Sequence, residues 1–445
     1  MPYEEGGAMK KALSGLLIAF IVGLTSNAHA VSLTLEGMGS GVSVGNSQAL
    51  YASDSGGTAV LVTAVGMPAP GGGKISELGV PSMMPDGRVV FGAEVTTKGE
   101  RGSTDRQQWS IFIGNPDAAI QHRINAIEVK SKPVWCDPVY HGDPYPVADA
   151  DGQIAFMAAL GRDRDALLLY SHGTLSCLAE SGTKTNEGDE IVVLSFGSPQ
   201  MGDHGEVVFN AFLKPSARHP ALPSDGGAPE RRHLQAVLIA TRAGIHELAV
   251  EGDFGPNHTQ YQRPFGLPSA IASPQGTLVA FTAKTPSGAA LFQYDGTGMV
   301  RMLQSGTNTP LGPVSYVSPG RPGLMADGTA AVLAGCARIP VIFRLNRGLL
   351  DLRIQRGQLT PLGAIIESLG DPVLTAAGAM FVGATDTEGR EQLYVLDRDD
   401  EFFEVGSPEM LYRIAFDGEE RHEHAIFTGT LTVNQHGDYG YLGGK

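Results

Sequence analysis

The hydrophobic and polar positions of the chain repeat one figure: a polar turn ending in Gly, then a large apolar residue four places on. PDGRVVF sets Gly87 before Phe91, ADGQIAF sets Gly152 before Phe156, and DHGEVVF sets Gly205 before Phe209. PQGTLVAF places Gly276 before Phe281, one residue late. ADGTAAV and AAGAMFV carry Gly328 and Gly378 with Val in the apolar place, and NQHGDYGY carries Asn434, Gly437 and Tyr441. Each copy predicts a strand, a tight Asp-Gly or His-Gly type of turn, and a second strand. The copies recur about every 50 to 71 residues, a spacing that points to propellers or arrays.

Each unit continues in the same way. An apolar pair follows as a third strand, as in Ile111-Phe112, Leu169-Tyr170, Leu291-Phe292, Ile342-Phe343 and Leu393-Tyr394, with Val237-Leu238-Ile239 in the third unit. A fourth short run then stops at Gly182, Gly252, Gly306, Gly357 or Gly406. Four short strands in meander order make a propeller blade. At the N-terminus, Leu50-Tyr51 and Ala59 to Val62 read as third and fourth strands with no first pair before them. At the C-terminus, Phe427 to Val433 and Asp438 to Leu442 read as first and second strands with nothing after them. Two halves that complement each other predict a shared blade, which also removes two exposed sheet edges. The expected fold is all-β: a single seven-bladed β-propeller over residues 31–445, its four-stranded antiparallel blades closed by N- and C-terminal strands.

The first thirty residues read as a cleaved signal. Lys10 and Lys11 precede an apolar stretch from Leu13 to Leu24, and Ala28-His29-Ala30 is a small-x-small cleavage site, with Met9 as the start of the functional leader. The stretch is short for a membrane span, so export to the periplasm or the outside is expected, with no span left after cleavage. A net charge of −15 excludes nucleic acid as a partner, since phosphates would be repelled. Gly accounts for 59 of 445 residues, about twice the usual share, in keeping with many tight turns. Cys136, Cys177 and Cys336 form no C-x-x-C pair; one bridge could form, and the reading taken is buried, reduced side chains.

The Asn-x-x-Gly-x-x-x-Phe figure, cleanest at Asn434, Gly437 and Tyr441, resembles the repeat of a bacterial exported family with tandem copies and varying C-terminal surface anchors. LYASDSGGTAVLVTAVGMPAPGGG is similar to that family's half-repeat. The resemblance implies an exported repeat protein and carries no activity or functional residue with it. A looser resemblance runs to TolB-type propellers, through Ser273-Pro-Gln-Gly276-Thr-Leu-Val-Ala-Phe281.

In a four-stranded meander, second-to-third and fourth-to-first connections lie on one face. The long ones here are 94–108, 130–146, 213–233 and 251–265, so that face is elaborated and the other trimmed. Trp135, Asp137, His141, Asp143 and Tyr145 occupy one of these loops, and Asp253, His258, Tyr261 and Arg263 another. They are the candidate ligand-binding residues over the central channel, against the plainer reading of solvated loops pinned by aromatics. His422 and His424, two apart, would have a usable metal-ligand spacing on a strand, against the plainer reading, and the one expected, of a solvated acidic loop over 419–424. Asn257-His258-Thr259 fits a glycosylation sequon. No H-E-x-x-H, Gly-x-Ser-x-Gly or P-loop pattern is found. The sequence therefore points to a monomeric exported scaffold, without a cofactor, that binds a protein or carbohydrate partner. Two alternatives stay open: an extracytoplasmic glycan-active hydrolase or lyase, and a structural module stabilised by calcium through its loop aspartates.

Overall fold

The structure, a computed structural model, describes residues 30–34, 49–53 and 59–444 apart from short internal stretches, the longest being 133–142 and 220–232. Among the described residues six antiparallel sheets of four or more strands are each drawn from one stretch of chain, 74–126, 147–180, 191–250, 262–304, 308–355 and 366–406, and a two-stranded sheet spans 411–424. A further sheet combines both chain ends, in the order Ala30–Thr34, Ile426–Asn434, Tyr439–Gly444, Ala49–Ser53 and Ala59–Ala64. The regular helix described is one 3-10 turn, Pro256–His258, and no described helix is long and apolar enough to cross a membrane.

The repeat becomes a fixed cross-strand register. The apolar residue after each Gly faces the third strand as Phe91↔Phe112, Phe156↔Leu168, Phe209↔Leu238, Phe281↔Phe292, Val332↔Phe343 and Val382↔Tyr394. Tyr441↔Tyr51 continues the series across the chain ends. In the second sheet the partner is Leu168, so the expected aromatic, Tyr170, sits two positions further along, opposite Ile154. The Phe91–Phe112 and Phe281–Phe292 ring pairs have the same centroid distance, 5.7 Å. In six of the sheets a bulge interrupts the third-to-fourth ladder immediately before this residue, for instance at Leu291/Phe292 and Leu50/Tyr51. The extra residue raises the local twist of each sheet.

Side-chain alternation decides how the sheets stack. Val89 and Phe91 pack with Leu50, Ala52 and Val62 of the terminal sheet, whereas Val90 and Ile111 pack with Ile154, Phe156 and Leu168 of the second sheet. Each further described cluster joins one sheet to the next: second to third, third to fourth, fourth to fifth, fifth to sixth. The inner segments Ser82–Met83, Val147–Ala148, Gln200–Met201, Ser269–Ser273, Gly323–Leu324 and Ile366–Leu374 neighbour one another in succession. Ala30–Thr34 lies between the last and the first and also reaches segments across the ring. The arrangement is all-β and propeller-like.

A second repeat, unrecognised in the sequence, holds the inner strands together. Among the Gly-x-Pro triplets of the chain, those at 79–81, 142–144, 197–199, 266–268, 320–322 and 370–372 fall at or just before the inner strand segment of each of the six sheets. Where described, the middle N–H donates to the next sheet's copy or its flank: Val80 to Asp143 Oδ2 at 2.5 Å, Leu267 to the Pro319 carbonyl at 3.2 Å, and Arg321 to Asp371 Oδ2 at 2.8 Å. A Cβ on Gly79 would overlap the Asp143 carboxylate, and one on Gly320 that of Asp371, so these positions need Gly for close approach.

Several expected boundaries move. The 94–108 loop shrinks to 98–105, because Val89–Thr97 and Arg106–Gly114 continue their ladder through polar residues that face solvent. The 251–265 loop loses Gln262–Phe265 to a strand. Glu419–His424, expected as an acidic loop, is a strand paired with Leu411–Phe416. Ala30–Thr34 adds a strand at the inner edge of the terminal sheet, beginning on the last residue of the expected leader. Cys177 and Cys336 belong to different sheets and form no bridge with each other; Cys136 lies outside the described residues.

Three outcomes are expected. Phe281→Ala should cost about 3–5 kcal/mol, read from urea denaturation. Deleting 427–445 strips the partner of Ala30–Thr34 and one of the two partners of Ala49–Ser53, so the truncated chain should aggregate or melt well below wild type; matching melting curves would refute the closure. Burial, reinforced by the Glu77 charge, pushes Asp143 from 3.8 up to about 6 against N–H donation from Val80 and Tyr145. The folded state then holds the Asp143 proton more tightly than the unfolded one. Its contribution is greatest below 3.8 and is lost as pH rises through about 6. The stability of wild type relative to Asp143→Asn should therefore fall across that window, by at most about 3 kcal/mol. A difference that does not vary with pH would exclude this.

Candidate functional site

Three connections of one face converge beside the third sheet. The hairpin after Thr174–Glu180 carries Asp189, the connection after Val207–Leu213 carries Arg218 and His219, and the turn after Gly244–Val250 carries Asp253. The two hairpins share a build: Gly182 N–H donates to the Ile191 carbonyl, and Gly252 N–H to that of Tyr261. Glu247 projects from Gly244–Val250, the outermost strand of the sheet. The meeting point is thus at the sheet's outer edge rather than above the centre of the ring.

His219 is the hub. It is 4% exposed, with Nδ1 2.6 Å from Asp189 Oδ2 and Nε2 3.0 Å from Asp253 Oδ1. A ring facing an acceptor on each nitrogen is satisfied only when both nitrogens carry a proton or a carboxyl supplies one. The Ser216 hydroxyl accepts from the His219 backbone N–H at 3.1 Å and shapes the turn that presents the ring. Thr185 donates its hydroxyl to Glu247 Oε1 at 2.6 Å and accepts from the Asp189 N–H at 3.1 Å, coupling hairpin to strand. Arg218 Nη1 lies 3.2 Å from Glu247 Oε2.

The two central acids are pushed apart. Burial raises Glu247, and the Asp189 charge raises it further, against the Thr185 hydrogen bond and Arg218. Burial also acts to raise Asp189, but hydrogen bonds from Ser216, His219 and Glu247 outweigh it and hold that carboxyl below its ordinary range. The pair is therefore arranged as one ionised carboxylate beside one acid that holds its proton more readily, the kind of split that marks functional sites. One ligand atom from each of Asp189, His219 and Glu247 lies within 4.8 Å of the others.

A cavity of about 220 Å³ opens next to the cluster, lined by Arg218, Glu247, Asp253, Phe254, Tyr261 and Met299 among others. Phe254 stands at its rim, 68% exposed. Tyr261 forms the buried wall, its ring edge-on to Phe292 at 5.0 Å. Burial pushes the Tyr261 phenol above its ordinary range and the Asp253 charge adds to this, so it faces the cavity protonated.

Of the residues singled out in the sequence, Asp253 and Tyr261 belong to this site. Arg263 pairs with Glu251 at 2.7 Å and donates to the His233 carbonyl, clamping the end of the long loop. His258 is exposed on the 3-10 turn. Asp143 and Tyr145 belong to the joint between the first two sheets. Trp135, Asp137 and His141 lie outside the described residues, as do the side chains of His422 and His424 on their strand. Asp189, His219 and Glu247 were not anticipated. They are about 30 residues apart in sequence, and nothing in their neighbourhoods forms a motif.

No curated protein matches the chain in sequence. Solved structures similar to it include the β-propeller domain of the trilobed protease from Pyrococcus furiosus, 9% identical over 75% of this chain and 97% of that one, TM-score 0.33. The six-bladed, fucose-recognising lectin of Aleuria aurantia is 9% identical over 71% and 90%, TM-score 0.31. An ulvan lyase of a polysaccharide lyase family is 10% identical over 84% and 96%, TM-score 0.37. Likeness at these scores transfers neither a residue correspondence nor a ligand. Residues 128–389, well over half of the sequence and including every residue of the cluster, match one family, and the chain belongs to it: the family of unknown function DUF7453.

Proposed function

We propose that the chain is an exported seven-bladed β-propeller that binds a carbohydrate at the cavity beside the third sheet, as a monomer and without catalysis. The count takes the six contiguous sheets and the sheet shared by the chain ends as one blade each. The leader from Lys10 to Ala30 and the likeness to an exported repeat family support export. The observation that carries the ligand class is Phe254, an aromatic ring 68% exposed at the mouth of a cavity bearing Arg218, Glu247 and Asp253. A ring held in water at a concave polar site offers a platform for the apolar face of a sugar, while carboxylate and guanidinium groups take its hydroxyls.

The test is a glycan array followed by calorimetry on the strongest hit with the mature chain. Phe254→Ala and Arg218→Ala should each weaken binding about 10-fold or more. Leu349→Ala, an exposed apolar residue on another sheet, should leave it unchanged. If no glycan binds, or if Phe254→Ala binds as wild type does, the reading fails. Release of shorter sugars during the assay would instead favour the hydrolase or lyase alternative.

A further inference from the structure

We propose that Asp189, His219 and Glu247 form a binding site for a transition-type divalent cation of the zinc class, with Asp253 orienting the histidine from behind. The three first ligands come from the hairpin 181–190, the loop after Leu213 and the outermost strand, so one ion would tie together three separate pieces of chain.

Three features of the geometry favour a cation here. First, the donor set is one imidazole and two carboxylates, each with an atom within 4.8 Å of the other two. Zinc takes such atoms at about 2.0–2.2 Å, so the three side chains would draw together around the ion. Second, His219 has a carboxylate on each nitrogen, Asp189 at Nδ1 and Asp253 at Nε2. Metal-bound histidines characteristically give their second nitrogen to such an acid, which fixes ring orientation and tautomer. The ion would take the place of the proton between Nδ1 and Asp189, leaving the Nε2–Asp253 bond intact. Third, Glu247 and Asp253 also line the cavity, which provides an entry path and an open position beside the cluster.

The donor chemistry selects the ion. Calcium takes six to eight oxygen ligands and has no use for an imidazole nitrogen, and magnesium keeps most of its water. Zinc and its neighbours accept imidazole with carboxylates. The charge agrees: Asp189, Asp253 and Glu247 face one half-exposed cation, Arg218, so a divalent ion relieves an excess of negative groups in a confined space. The site stands independently of the carbohydrate reading, although it borders the same cavity. Its consequence would be to fix the Arg218–His219 turn and the Asp253 turn, and through them Arg218 and Phe254.

The experiment uses the untagged mature chain, stripped with chelator and titrated calorimetrically with zinc chloride, then with calcium and magnesium chloride. One equivalent of zinc should bind, at least about 100-fold more tightly than calcium. His219→Ala and Asp189→Asn should each lose at least about 100-fold in zinc affinity, while Asp253→Asn, acting on the ring alone, should lose about 10- to 100-fold. Exposed His122→Ala should bind as wild type. Circular dichroism of the stripped variants checks that they fold, and wild-type stoichiometry and selectivity decide the matter even where a variant does not. No stoichiometric zinc, calcium binding as tight as zinc, or full affinity in folded His219→Ala would each overturn the proposal. Glycan affinity measured on the stripped protein separates the two readings: zinc binding can fail while sugar binding persists, and the reverse.

Discussion

Each of the first five sheets is apolar on both faces, and only a neighbour on either side can cover them. Val89 and Phe91 turn one way and Val90 the other, toward different sheets. With about 25 cal/mol at stake for every Å² of apolar surface, no sheet in such a stack can end the series. The chain resolves this by bending the series into a ring and building its joining sheet from both ends. The same closure removes the open strand edges that would otherwise recruit other chains. The remaining features are consequences: the repeated bulges add twist to each sheet, and the Gly-x-Pro joints let the inner strands approach closely.

Ring closure frees the connections for other work. Two hairpins of similar build flank the third sheet, and the long connection between its second and third strands folds back across both. His219 is the contact that makes this fold-back specific, since a buried imidazole between two carboxylates tolerates little displacement. Glu247 reaches the cluster from the regular part of the sheet, so the loop is referenced to a rigid strand. The cavity, its exposed Phe254 and its charged rim depend on that reference. The site is therefore local to one sheet and its two flanking hairpins, although the six contiguous sheets share one antiparallel strand order.

The Gly and aromatic spacing made the strand order legible because each tight turn requires a special backbone and each second strand requires a large buried residue. Complementary half-units at the two ends made the shared sheet legible for the same reason. The 98–105 turn was harder to delimit. Ladder hydrogen bonds continue through Thr96 and Gln107 without any apolar alternation to report them. The acidic run Glu419–His424 has the charge of a solvated loop, yet pairing is a backbone property that charge does not forbid. Gly-x-Pro recurs along the chain, but what sets the six inner copies apart lies in hydrogen bonds between sheets.

From its sequence alone this protein determined its strands, their meander order and the face that carries long connections, because those follow from local turn chemistry and the period of apolar residues. It also marked Asp253 and Tyr261 as residues of that face. Only the tertiary structure decided that His219 meets Asp189 and Asp253, that Glu247 joins them from a strand, and that Asp143 serves a joint. Such meetings depend on how far each loop folds back over its sheet, a distance set by packing across sheets rather than by any residue's neighbours in the chain.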